Sequence, residues 1–293
     1  MDSVTSANLD LPRSNRSNSP FRYPGGKFYA RSLILREIPP HHDYCEPFAG
    51  GASVFFAKPT SSGMSVLNDL DADVINTLEQ IRDDVEGLID LLDGVEATKA
   101  NHTYYKNHYK PESDLEKAFR WFYLNRTSYS GIMRAENCYW GFGRKYSMRP
   151  ENWPPHLRTV SDKLQGTVLS SYDFEEVVDE LPDKCFVFVD PPYYAADQQK
   201  FYSAVFEHDD HQRLAECLKR NADRLLFLLT YDDHPDVRGL YEWTSSVKGQ
   251  RWNYTINRTD DQRNGLKKRD GFRGGRDKGS ELFIRNYDAN FLP

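Results

Sequence analysis

The sequence predicts an α/β fold built on a mostly parallel sheet with helices on both faces. Three observations predict it. Short apolar runs of strand character alternate with helical patterns. Two of those runs end on an acid and a third on a proline followed by paired glycines, at the strand ends where parallel sheets bind ligands. A chain of 293 residues with 14% aromatic content suits one large α/β domain carrying an insertion.

The elements follow in chain order. Residues 1–19 are rich in Ser and Asn and read as a disordered tail. They lack the apolar core of a signal peptide, and no later stretch is long enough to span a bilayer, so a cytoplasmic protein is expected. Residues 20–78 form the first part of the sheet domain, with strands DYCEPF (43–48) and MSVLND (64–69). One helix is expected after Gly50-Gly51 and another near Asp71. The alternation fails over 79–166, where an amphipathic run (114–125) gives way to loop-like sequence with Gly131, Gly141 and Gly143. Such an insertion usually carries specificity rather than chemistry. Residues 167–293 return to the pattern with TVLSS (167–171), CFVFVD (185–190), LLFLLTY (225–231) and ELFIRNY (281–287), and a helix over 208–224 capped by Asp209 or Asp210.

Composition excludes several classes. The net charge of −6 speaks weakly against nucleic acid until its distribution is considered. Cys45, Cys138, Cys185 and Cys217 form no C-x-x-C pair and suggest neither a disulfide framework nor a zinc site. His208 and His211 stand three apart, but an ordinary capped helix start explains them, and no metal is expected.

Four motifs carry candidate chemistry. In EPFAGGASVFF (46–56), Gly50-Gly51 permit a tight turn and close backbone approach to a ligand; a purely structural turn is the alternative. In VLNDLDADVINT (66–77), Asp69 closes the second strand, where an acid reaches ribose hydroxyls. Asp69, Asp71 or Asp73 can instead cap the following helix. FRYPGGK (21–27) sets Lys27 beside two glycines without the spacing of a phosphate loop; a lysine there can instead meet a ligand carboxylate.

FVFVDPPYY (186–194) is the most informative. Pro191 and Pro192 fix the exit of an apolar strand. The Asp190 carboxylate and the Pro191 carbonyl can then accept hydrogen bonds from one exocyclic amine, with Tyr193 stacked on the ring that bears it. A cis-proline turn or a metal-binding aspartate are the plainer alternatives.

Together these motifs resemble the Dam-like (D12 class, α group) DNA adenine-N6 methyltransferases. RYPGGK, EPFAGGASVFF, LNDLDAD, LNRTSYSGIMR (124–134), YWGFGRKY (139–146), SYDFEEVV, VDPPYY and ELFIRNY stand in the family's order, from about residue 20 to 288. The resemblance implies a Rossmann-like methyltransferase fold with a mixed seven-stranded sheet and a mostly helical target-recognition insertion. It implies S-adenosylmethionine as cofactor, contacted by Tyr23, Lys27, Asp69 and Asp190, with Glu46 and Phe48 in the same wall. Relatives often carry Trp at the Tyr23 position.

It also implies double-stranded DNA as partner. Tyr129 occupies the position from which relatives insert a ring into the duplex. Arg22 and Arg134 are candidates for base edges, since arginine suits guanine O6 and N7. Ser130 stands where relatives that read GATC usually carry Asn, which argues against a GATC target. A basic cluster in the insertion includes Arg126 and Arg144, and a Gly-rich basic loop (251–278) includes Lys267 and Lys268. These answer the charge objection, since acid concentrates elsewhere, over 69–96.

The implied reaction is methyl transfer to N6 of a flipped adenine in a short specific sequence, with a monomer expected and a weak dimer as the alternative. The competing readings are cytosine N4 or RNA adenine as acceptor, or an inactive DNA-binding subunit.

Overall fold

The computed structural model describes residues 17–144, 147–194, 206–253 and 278–288. Its strands are β1 (Tyr44–Glu46), β2 (Ser65–Asn68), β3 (Thr167–Ser170), β4 (Phe186–Val189), β5 (Leu226–Asp232), β6 (Ser246–Asn253) and β7 (Lys278–Arg285). They form one seven-stranded sheet in the order β3-β2-β1-β4-β5-β7-β6. The first five are parallel, and β7 runs antiparallel to both β5 and β6. The mixed seven-stranded α/β sheet is the one expected.

The strand order reverses direction between β1 and β4. From β1 the chain moves outward through β2 to β3, whereas β4 and β5 lie on the other side. That reversal leaves a crevice at the carboxyl ends of β1 and β4, where open α/β sheets bind ligands.

The central strands are buried on both faces, so they read as continuous apolar runs rather than alternating ones. Side chains still alternate between two cores. Phe186 and Phe188 of β4 join one, Val187 and Val189 the other. The second core is covered by α8 (Phe174–Glu180), α9 (His208–Arg220) and α10 (Pro235–Leu240). The first is covered by α1 (Arg31–Glu37), α2 (Ser53–Ala57), α3 (Ala72–Asp83), α4 (Val85–Leu92), α6 (Asp114–Thr127) and α7 (Trp153–Leu164), with α5 (Lys99–Asn107) packed on α6. No helix among the described residues is long and apolar enough to cross a membrane.

Local chemistry sets several boundaries. Asp71 caps α3, its side chain accepting from the Asp73 N–H at 3.0 Å. Ser113 caps α6 in the same way, through Glu116 N–H. At α9 the N-cap is Glu207, not Asp209 or Asp210; its N–H donates to the Asp210 carboxylate at 2.9 Å.

Other expectations are corrected. Ser17 and Ser19 are packed, with Ser17 N–H donating to the Phe56 carbonyl and Ser19 buried. The residue 78/79 division falls inside α3, and the insertion shares its core with the sheet: Phe122 and Trp153 belong to the same cluster as Leu67 and Phe188. Strand β6 was not among the runs read from sequence. Its Lys248-Gly249-Gln250-Arg251 is polar because it is an edge strand, where charge blunts unwanted pairing.

Candidate active site

Strand β4 ends at Val189, and Asp190 emerges at the crevice. Both following proline peptides are trans, so the cis-proline alternative fails. Lys27 Nζ lies 2.6 Å from Asp190 Oδ1 and 2.7 Å from Oδ2, straddling the carboxylate. Thr230 of β5 donates its hydroxyl to Oδ1 at 2.7 Å. Lys27 is itself buried, also donating to the Gly25 carbonyl at 3.0 Å, and sits 4.8 Å from the centroid of the Tyr193 ring. The Tyr193 ring lies against Tyr231 at 6.0 Å. Pro191 is buried and Pro192 half-buried beside them. One corner thus assembles the first glycine motif, the tip of β4 and the middle of β5.

The glycine turn after β1 forms the neighbouring wall. Gly50 has φ +46, and a Cβ there would lie 2.8 Å from the Tyr23 ring, so only glycine lets Tyr23 close over the turn. Asp69 is not the helix cap. Its Oδ2 accepts from Gly50 N–H at 2.7 Å and its Oδ1 from Asp71 N–H at 2.9 Å, tying β2 to the turn. Burial raises its pKa to about 6 against the opposing pull of those amides.

Glu46 accepts from both the Tyr44 hydroxyl and Phe55 N–H, each at 2.7 Å, and burial pushes its carboxyl up to about 8. Phe48 packs on Phe174 and Phe206 at 5.4 and 5.7 Å. Between these walls lies a cleft of about 380 Å³, lined by Tyr23, Lys27, Glu46, Phe48, Asp69 and Asp190 among others. That volume lies in the ordinary range for small-molecule sites.

The insertion meets this corner through Asn125. Its side chain accepts from Arg22 N–H at 2.9 Å and donates to the Arg22 carbonyl at 2.8 Å. Arg22 also donates from Nη1 to the Ser128 carbonyl, and burial lowers its pKa. A Cβ at Gly131 would lie 2.0 Å from the Arg22 carbonyl, so LNRTSYSG is shaped to receive the RYPGGK segment.

Tyr129 and Ser130 are half-buried at the next turn, Ser130 in the left-handed region at φ 53. Arg134 pairs with Glu136 at 3.1 Å, and Arg144 is exposed. Arg126 departs from expectation: only 6% exposed, it donates to the Pro20 carbonyl, and burial pulls its pKa down to about 10. Its guanidinium is turned inward and braces the N-terminal segment. Lys267 and Lys268 lie outside the described residues.

His208 and His211 open an ordinary helix. His211 is hydrogen-bonded to the Tyr231 hydroxyl and His208 to Tyr194, and burial lowers the His211 pKa to about 4. All four cysteines are buried and free.

The model of a family described as D12 class N6 adenine-specific DNA methyltransferase matches residues 23–257. This chain belongs to that family. Its methyltransfer to adenine N6 of DNA takes precedence over the cytosine, RNA and idle-subunit alternatives.

Among similar proteins, the type II methyltransferase M1.LlaDCHI of Lactococcus lactis subsp. cremoris is 26% identical over 300 residues, covering 95% of this chain and 99% of that protein. The DNA N-6-adenine-methyltransferase of Escherichia phage P1 is 27% identical over 245 residues, covering 78% of this chain and 32% of that protein. The DNA adenine methylase of Escherichia coli K12 is 24% identical over 240 residues, covering 78% and 84% respectively.

For this D12-class enzyme, sequence reasoning missed several residues of the corner. Thr230, Asn125, Phe174 and Glu281 all bear on it. Only Glu281 left a visible signal, an acid heading the apolar run LFI within a strand.

Proposed function

We propose that the chain moves a methyl group from S-adenosylmethionine to N6 of an adenine rotated out of a short specific sequence in double-stranded DNA. The observation that carries this reading is the Asp190 carboxylate, held by Lys27 and Thr230 at the strand-reversal crevice with the Tyr193 ring beside it.

The lining suits the donor. Asp69 and Asp190 outnumber the one ammonium of the lining, Lys27, which favours a positively charged ligand. Tyr23, Lys27, Glu46, Phe48, Asp69 and Asp190 would hold it, Asp69 offering its carboxyl to ribose hydroxyls and Tyr23 covering it. Bound there, S-adenosylmethionine would supply an activated methyl group.

The chain's own residues do the rest. A carboxylate has about four lone-pair sites, so Asp190 retains acceptor capacity beyond Lys27 and Thr230. With the Pro191 carbonyl it would draw on both N6 hydrogens and favour the pyramidal, nucleophilic amine. Pro192 keeps the exit rigid, and Tyr193 stacks on the adenine. Catalysis would come chiefly from positioning and fixed electrostatics, with Asp190 orienting or receiving the amine proton.

Arg22, Tyr129, Ser130, Arg134 and Arg144 on one side, with Lys267 and Lys268 on the other, would meet the duplex. Arg126 would act from behind, as a brace. A monomer in the cytoplasm is the working state.

The test is transfer of tritiated methyl to unmethylated duplex DNA by the wild type and by Asp190→Ala. Label on adenine at one short sequence, lost by at least about 100-fold in the variant, is expected. Label on cytosine or RNA alone, or none from the wild type, overturns the reading.

A further inference from the structure

We propose that Glu281 is a positioning residue for this reaction: a second counter-ion to Lys27, taking over its ammonium when the target amine occupies Asp190. This rests on the function proposed above. Glu281 lies on β7, 1% exposed, and lines the same cleft. Neither oxygen of its carboxylate has a hydrogen-bond partner of good geometry among the described residues, and the Tyr193 side chain is near enough only to pull its pKa down. A carboxylate buried in a strand interior with so few donors is costly, and its sheet neighbour across the ladder, Asp232, carries the same charge. Its other ladder neighbour, Gln250, offers no charge.

The position makes sense once Lys27 is considered. That ammonium straddles both oxygens of Asp190, the carboxylate to which the incoming amine must also donate. As the amine takes its share of Asp190, a buried Lys27 loses part of its compensation. Glu281 is a second carboxylate within electrostatic reach of Lys27 in this corner. It also neighbours the Tyr193 side chain, so one residue stands beside both the ring that stacks and the cation that must yield.

The charged and titratable groups facing it are Lys27, Asp190, Tyr193 and Asp232. Burial raises the Glu281 carboxyl to about 7, with Lys27 pulling the other way, so its charge changes near neutrality.

The full chain carrying Glu281→Gln or Glu281→Asp is compared with wild type in three measurements: thermal melting, equilibrium binding of S-adenosylmethionine, and single-turnover methyl transfer to duplex DNA across pH. The glutamine variant is expected to melt and bind donor much as wild type does. Its transfer rate should fall at least about tenfold, losing the wild-type rise from about pH 6 to 8. Glu281→Asp, keeping the charge, should recover part of the rate and the rise, and carries the test if the glutamine variant does not fold.

A wild-type rate and profile in Glu281→Gln overturns the proposal. So does a rate loss matched by equal losses of melting temperature and donor affinity, which marks a merely structural role. A wild type that labels no adenine fails the proposed function itself, and is seen in the same assay before either variant is read.

Discussion

Two carboxylates, Glu46 and Asp190, leave adjacent strands at the same crevice and are handled in opposite ways. Glu46 is given a phenol and an amide, both neutral donors, and burial pushes its carboxyl up to about 8. Asp190 is given an ammonium and a hydroxyl. The first arrangement suits an uncharged wall; the second suits a charged acceptor. Strand-tip position alone therefore does not say what an acid does. The partner does, and the partner of Asp190 lies 163 residues away in sequence.

The comparison breaks most directly at Lys27. Lys27→Met removes the cation and leaves Asp190 in a largely buried corner, which should cost about 3 kcal/mol of stability and most of the transfer rate. Urea unfolding with a methyl-transfer assay checks both, and an unchanged midpoint would mean that solvent compensates Asp190.

Glu46 tests the neutral side. Its folded pKa lies above the unfolded carboxyl, so the folded chain keeps a proton that the unfolded chain releases. Stability should fall as pH rises from about 4.5 to 8, by a few kcal/mol at most, as one such group allows. Glu46→Gln keeps the acceptor oxygen and removes the titration, so its unfolding midpoints should lose that slope. A slope unchanged in the variant would assign it to other groups.

Gly50→Ala is smaller in effect: strain in the left-handed region and the clash with Tyr23 should cost about 1–2 kcal/mol and weaken donor binding measured at equilibrium. Smallest is Ser130→Asn. Asparagine tolerates the left-handed region better than serine, so a gain of a few tenths of a kcal/mol in thermal unfolding is expected, without loss of fold.

What could be read along the chain was what contiguous residues control. The glycine turn, the proline-fixed exit after Asp190 and the motif order were legible because each depends on a few neighbouring backbone angles. Asp71 and Asp69 show the limit. Three acids within five positions all satisfied the cap pattern, and only the fold sent Asp71 to the helix and Asp69 to the Gly50 amide. Arg126 shows it again: its charge suggested a phosphate contact, but α6 turns it inward toward Pro20.

By itself, then, the sequence determined the α/β class, the family and the short segments that carry the chemistry, since backbone restriction and hydrophobic pattern act locally. The tertiary structure alone decided that Lys27, Thr230, Tyr193 and Glu281 meet around Asp190, and that Asn125 grips Arg22. Those contacts join residues far apart in the chain, and only sheet order and helix packing bring such groups within hydrogen-bonding or electrostatic reach.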